Sequence, residues 1–148
     1  MIDNLNDLYQ EVILDHSRHP RNYQKLAKAN REAHGHNPLC GDQLTVYVQL
    51  DGDRIRDISF EGSGCAISKA AASVMTTLLK GKTSQEARDL FSRFHHMVTE
   101  GHYQECEHCK LAAFAGVHKF PARVKCAMLP WRTLEASLAD KPSAVSTE

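Results

Sequence analysis

The chain has 148 residues, of which 42% are hydrophobic and 24% charged, as in ordinary soluble globular proteins. Lys plus Arg and Asp plus Glu each number 18, so the formal net charge is zero and nothing predicts a nucleic acid partner. No apolar run approaches the roughly 20 residues of a membrane span, and the N-terminus lacks a signal-peptide layout. We therefore expect no membrane partner, a cytoplasmic location, one domain over residues 1–140 and a flexible tail over 141–148.

The first half of the chain predicts a helix followed by a small sheet. His19 and Pro20 end the first helix, because the residue before a proline is excluded from the helical region. Alternating apolar residues predict a strand over Leu44–Leu50, and the DGD turn at 51–53 predicts a returning strand. A further short strand over 33–37 would give a three-stranded antiparallel sheet.

The second half predicts helices. A glycine-rich loop that ends at Cys65 leads into a long apolar helix, and Thr83 with Glu86 forms a capping box for the next one. We expect the last helix to begin just after Cys126, which would place Pro130 in its first turn, where a missing N–H costs little. The predicted fold is α+β, with the small sheet packed against four to five helices.

The cysteines carry the chemical information. Five cysteines are many for a reducing compartment, where clusters of thiols more often bind metal or do chemistry. Cys40 precedes the first long strand, Cys65 ends the glycine-rich loop, and Cys126 is expected just before the last helix. Because loop ends of a small α+β domain can meet at one end, these three thiols are candidates for one site.

The residues around these cysteines favour thiolates. The free N–H groups at a helix N-terminus would stabilise a Cys65 thiolate, and Lys125 and Arg123 would act likewise on Cys126. Asp42 can present its carboxylate to the same point, and three thiolates with one carboxylate suit tetrahedral zinc or iron. The alternative is that each cysteine is a small buried hydrophobe and Asp42 a turn residue, and the spacing alone leaves both interpretations open.

Four stretches in order resemble the IscU/NifU-N/SufU family of iron–sulfur cluster assembly proteins, and the resemblance runs from about Leu5 to Leu138: LYQEVILDHSRHPRN, NPLCGDQL, FEGSGCAISKAAASVM and KFPARVKCAMLPW. The resemblance implies a SufE/NifU-like fold with the metal site at its loop ends. By matching position, it also implies a site for metal, cluster or sulfur formed by Cys40, Asp42, Cys65 and Cys126.

Two features of the sequence differ from scaffold-type IscU proteins and are similar to the SufU branch of this family. Lys125 stands where scaffold-type IscU proteins have a histidine, and an inserted segment separates Cys65 from Cys126. The resemblance then implies a Zn²⁺-containing acceptor that takes persulfide sulfur from a SufS-like cysteine desulfurase and activates it, rather than a free-standing turnover enzyme. It also implies a monomer or weak oligomer, with a downstream scaffold or apo iron–sulfur proteins as further partners.

Other functions fit the same ligands. One alternative is a scaffold that assembles a [2Fe–2S] cluster and passes it to apo-proteins, with iron or the cluster on the same four residues. A structural zinc domain is the other, although a permanent site is not expected to choose an Asp ligand. Our hypothesis is that the exchangeable Asp42 ligand lets the desulfurase displace Cys40, which then attacks the persulfide.

The motif CEHC departs from the family pattern. Cys106 and Cys109, with His102, His108 or His118, could form a second metal site or a redox dithiol. We favour the simpler interpretation that these are ordinary side chains of an irregular insert. His95 and His96 are expected at the surface, near the end of a helix.

Overall fold

A computed structural model describes residues 4–38, 41–100, 110–139 and 145–146. The helices and strands of these residues follow one another as α1 (Asn4–Arg18), β1 (Arg31–Asn37), β2 (Asp42–Asp51), β3 (Arg54–Ser63), α2 (Ala66–Leu79), α3 (Ser84–Glu100), a 3₁₀ helix (Lys110–Lys119), α4 (Pro121–Leu138) and β4 (Val145–Ser146). None of these helices, within the described residues, is long and apolar enough to cross a membrane.

The sheet has the strand order β3-β2-β1-β4. β1, β2 and β3 are antiparallel neighbours, which confirms the predicted three-stranded sheet. The β2–β3 turn contains Gly52 at φ +65°, a left-handed conformation that glycine adopts without strain. Val145 and Ser146 add a short parallel strand against Gly35 and His36, inside the segment predicted to be a frayed tail. The other tail residues lie outside the described residues.

The helices cover one face of the sheet and bury a continuous core. The inward side chains of β2 and β3, such as Val46 and Ile58, are fully buried. α2 lies between α1, α4 and β3, and ten of its 14 residues are buried, so it is apolar around most of its circumference. α4 lies so close to β1 that a Cβ on Gly35 would come within 2.1 Å of Thr133 Oγ1.

Two local predictions are confirmed. α1 ends at Arg18, just before His19 and Pro20. At the start of α3, Glu86 N–H donates to Thr83 Oγ1 at 3.1 Å, and Thr83 N–H donates to Glu86 Oε1 at 3.0 Å. These reciprocal bonds are the predicted capping box, and both depend only on residues three apart.

The prediction that the last helix begins after Cys126 is wrong. α4 begins at Pro121, with Phe120 as its N-cap, so Cys126 lies in the second turn and Pro130 lies inside the helix. Pro121 is the proline that occupies the permissive first position. Pro130 has no N–H to donate to the Cys126 carbonyl four residues earlier, so one helical hydrogen bond is missing there. Burial of the Pro130 ring in the core offsets this loss.

The predicted glycine-rich loop is shorter than expected. Gly62 and Ser63 belong to β3, so only Gly64 and Cys65 connect that strand to α2. Gly62 is paired closely with β2, since a Cβ there would lie 2.2 Å from the Gln43 carbonyl oxygen. The connection therefore holds Cys65 close to the edge where β2 begins.

Candidate metal centre

Three of the four predicted ligands meet at one end of the sheet. Asp42 begins β2, Cys65 is the N-cap of α2, and Cys126 lies in the second turn of α4. A carboxylate oxygen and the two sulfur atoms all lie within 4.8 Å of one another. Cys40, the fourth predicted ligand, lies outside the described residues, so its place in the site stays a prediction.

Asp42 is completely buried and is fixed by its neighbour across the site. Its Oδ1 accepts a hydrogen bond from Cys65 N–H at 2.7 Å, and its Oδ2 lies 3.6 Å from Cys65 Sγ. Gly64 makes this approach possible, because a Cβ there would come within 2.4 Å of Asp42 Oδ1. Gly64, the second glycine of GSGC, is therefore required by the position of the Asp42 carboxylate.

Cys65 is poised to ionise near neutral pH. A hydrogen bond with the Cys126 thiol is the largest influence and lowers the pKa of Cys65 to about 7, while burial acts in the opposite direction. The N–H groups of Ser68 and Ile67, at the start of α2, lower this pKa further, and the nearby Asp42 carboxylate raises it. The predicted effect of the helix N-terminus is thus present, but the neighbouring thiol contributes more.

Cys126 is as enclosed as Asp42, with none of its surface exposed. Its Sγ accepts a hydrogen bond from Asn37 Nδ2 at 3.6 Å, across 89 residues of sequence. Arg123 is exposed and Lys125 half-buried on the first turns of α4, and their influence on Cys126 stays a prediction. Sequence reasoning missed Asn37, whose only signal was its place just before PLCGD at the end of a strand.

The remaining candidates do not join this centre among the described residues. The His96 ring contacts the Glu100 carboxylate, and His95 stacks on Phe91, as expected for residues near the end of a helix. Cys106, Cys109, His102 and His108 lie outside the described residues. His118 belongs to the 3₁₀ helix, and a second metal site stays an untested alternative.

The donor set fits a thiophilic divalent metal. Two sulfur atoms and one carboxylate oxygen within 4.8 Å can reach a single ion, and one of the thiols already ionises near neutral pH. Mixed sulfur and carboxylate ligands are those that zinc and iron accept in tetrahedral sites. A fourth ligand would complete the set, and Cys40 is the predicted one.

The pKa of Cys65 gives a testable pH dependence. In the metal-free protein, its alkylation rate should rise with pH, reach half its maximum at a pH of about 7 and then level off, because only the thiolate reacts. Iodoacetamide labelling is measured by mass spectrometry on the tryptic peptide 57–69, in which Cys65 is the only cysteine. In denaturant the midpoint of this pH profile should move up towards 9.0, the ordinary value, and a folded protein with that higher midpoint would contradict the assignment.

Comparison with known proteins gives consistent matches over most of the chain. The family described as NifU-like N terminal domain matches residues 8–127. The chain is 41% identical over 137 residues to a Bacillus subtilis strain 168 protein named zinc-dependent sulfurtransferase SufU, covering 92% of each. It is 37% identical over 144 residues to a Streptococcus pyogenes serotype M1 protein named iron-sulfur cluster assembly scaffold protein IscU, covering 97% of this chain and 90% of the relative.

A solved structure gives the same picture for the fold. The crystal structure of FiSufU from Fervidobacterium islandicum AW-1 superposes with a TM-score of 0.82 at 39% identity, covering 90% of this chain and 98% of that one. That protein is described as an iron-sulfur cluster assembly scaffold for the SUF system. The predicted α+β architecture is confirmed by this superposition.

Proposed function

This chain belongs to the NifU-like N-terminal domain family, and from that membership we propose that it works in iron–sulfur cluster assembly as a zinc-containing sulfur acceptor. Its proposed donor is a cysteine desulfurase in the cytoplasm. The observation that carries the proposal is the convergence of Asp42, Cys65 and Cys126 within 4.8 Å. The similarity to a relative named zinc-dependent sulfurtransferase favours zinc over iron.

Four residues would hold the zinc: Cys40, Asp42, Cys65 and Cys126. When bound, zinc keeps its cysteine ligands as thiolates at neutral pH. The chain contributes to the same end, since the start of α2 and the Cys126 thiol already favour the Cys65 thiolate. The site is thus built to keep sulfur nucleophiles deprotonated while they wait for a partner.

Cys40 is the proposed acceptor, because the two described cysteines are held in place. Cys126 is fully buried within α4, and Cys65 is fixed by hydrogen bonds to Asp42 and Ser68. In the transfer step, the Cys40 thiolate attacks the outer sulfur of the donor's cysteine persulfide. A new S–S bond forms on Cys40, the donor's S–S bond breaks, and the donor cysteine leaves as a thiolate.

Asp42 is the proposed point of weakness in the ligand set. A carboxylate is a harder ligand than a thiolate, so it exchanges more readily on a thiophilic ion. Its position is nevertheless exact enough to be reused, because its Oδ1 stays bonded to Cys65 N–H at 2.7 Å. A site that must open and then close again needs both properties.

The test is a transfer assay with ³⁵S-cysteine and a SufS-type desulfurase, with zinc measured on the same preparation. We expect about one zinc per chain, acceleration of the desulfurase, and ³⁵S transfer reduced to the background rate in Cys40→Ser, because the attacking thiolate is removed. Cys109→Ser is the matched control and should keep transfer. Normal transfer by Cys40→Ser would show that the acceptor is another residue.

The second candidate function is a scaffold, favoured by the similarity to the relative named IscU over 97% of this chain. It uses the same ligands, but its cargo is a [2Fe–2S] cluster. Lys125, in place of the histidine of scaffold-type proteins, counts against it. Anaerobic incubation with Fe²⁺, cysteine and desulfurase separates the two, because a scaffold would accumulate a stable cluster and pass it intact to an apo-protein.

A further inference from the structure

Asn37 places a buried amide against a thiol of the centre. It is the last residue of β1, none of its surface is exposed, and its strand partner is Asp42. Its Nδ2 donates to Cys126 Sγ at 3.6 Å. The end of the sheet thus presents a carboxylate on β2 and an amide on β1, side by side.

The backbone of Asn37 has a second connection to the site. Its carbonyl oxygen accepts a hydrogen bond from Gly41 N–H at 2.9 Å, and Gly41 has φ +73°, which favours glycine. This bond joins the two ends of the short segment that carries Cys40. Asn37 therefore contacts Cys126 through its side chain and Gly41, the residue after Cys40, through its main chain.

We infer that Asn37 is a positioning residue of the metal centre, whose amide holds Cys126 in place as a thiolate ligand. Cys40 is then the ligand that dissociates from the metal. This inference rests on the proposed function. An N–H donor to a ligand sulfur draws charge away from it and fixes its orientation, as partners of metal ligands commonly do. Cys126 then remains a ligand, and is a poorer nucleophile, when Cys40 leaves.

The donor on Cys126 can be removed by mutation, whereas the donor on Cys65 cannot. Cys65 Sγ accepts from the backbone N–H of Ser68 at 3.4 Å, which every residue except proline would supply. The donor on Cys126 is a side-chain amide. Asn37→Leu keeps the approximate shape of the side chain and removes this N–H donor.

The experiment loads the full chain with Co²⁺ and measures the sulfur-to-cobalt charge-transfer band, together with Zn²⁺ affinity by chelator competition. Loss of the N–H raises the energy of the sulfur lone pair, so the band of Asn37→Leu should move to longer wavelength. Zn²⁺ affinity should fall by about 10–100-fold, the usual effect of losing such a partner.

The matched control is Asn30→Leu. Asn30, the residue just before β1, binds β2 in a similar way, since its side chain donates to the Leu50 carbonyl at 2.8 Å and accepts from Leu50 N–H at 2.8 Å. Leu50 is eight residues from Asp42 along β2, about 26 Å away. This variant should lower stability without moving the cobalt band or the Zn²⁺ affinity.

A folded Asn37→Leu protein with an unchanged band and affinity would overturn the inference. If that variant does not fold, the unmodified chain loaded with ¹¹³Cd decides by NMR. Coupling from cadmium to the Asn37 side-chain amide protons supports the hydrogen bond to a ligand sulfur. Coupling from cadmium to the Cys126 β-protons, with no coupling to the Asn37 amide protons, refutes the role of Asn37. A wild-type chain that bound none of these metals would instead refute the proposed function.

Discussion

Cys126→Ala should leave the protein folded but nearly free of zinc, with no measurable sulfur transfer. The substitution removes a ligand whose sulfur lies within 4.8 Å of the other two donors. It also removes the hydrogen bond that does most to lower the pKa of Cys65, so the Cys65 thiol would be protonated more often at neutral pH. Loss of a partner behind a ligand already costs about 10–100-fold in affinity, and loss of the ligand itself should exceed that.

Metal analysis, circular dichroism and the ³⁵S assay together check this result. Ser137→Ala is the control, because Ser137 is also buried in α4 and bonds only to the Leu134 carbonyl among the described contacts. In the metal-free state both variants should lose about 1 kcal/mol of unfolding free energy, the typical effect of a single substitution, but only Cys126→Ala should lose zinc binding. Full zinc content in Cys126→Ala would place the centre elsewhere.

Gly64→Ala should disrupt the site without replacing any of the predicted ligands. The new Cβ would lie 2.4 Å from Asp42 Oδ1, and the buried carboxylate cannot move aside without breaking its 2.7 Å bond from Cys65 N–H. At φ +157° the alanine backbone is also strained, by about 1–3 kcal/mol. We expect Zn²⁺ affinity to fall by at least about 10-fold, since the position of a ligand is lost.

Gly81→Ala separates strain from displacement of Asp42. Gly81 has φ +88°, and a Cβ there would meet nothing within 4 Å, so this variant is strained but causes no clash. Chemical denaturation should reveal a loss of stability in both variants, while chelator competition should reveal weaker zinc binding only in Gly64→Ala. Equal zinc affinity in the two would mean that the contact with Asp42 does not matter.

Features that depend on nearby residues could be predicted from the sequence. The end of α1 before Pro20 and the Thr83–Glu86 capping box are local, and both are present. Asp42 and Cys65 are also close in sequence, 23 positions apart, and the hairpin between them folds back to bring them together. The strand pattern was therefore enough to predict that Asp42 and Cys65 lie close together.

The other half depends on long-range packing. The contact between Asn37 and Cys126 spans 89 residues, and no periodicity in the sequence indicates it. The predicted start of α4 is wrong because either of two prolines could have stood in the first turn of the helix. Pro121 occupies that turn, and Pro130 is buried in the interior of the helix. Only the packing of α4 against β1 decides between them.

The centre joins three elements that are distant in the chain, because its donors come from the start of β2, the start of α2 and the second turn of α4. A metal held there acts as a cross-link between the sheet and the two helices, comparable to a disulfide that closes a long loop. Free metal at 100 times its dissociation constant would add about 2.7 kcal/mol to the unfolding free energy. Any partner that loosens one ligand would therefore also weaken the junction between the sheet and its helices, so the proposed sulfur uptake would be thermodynamically linked to the rigidity of the fold.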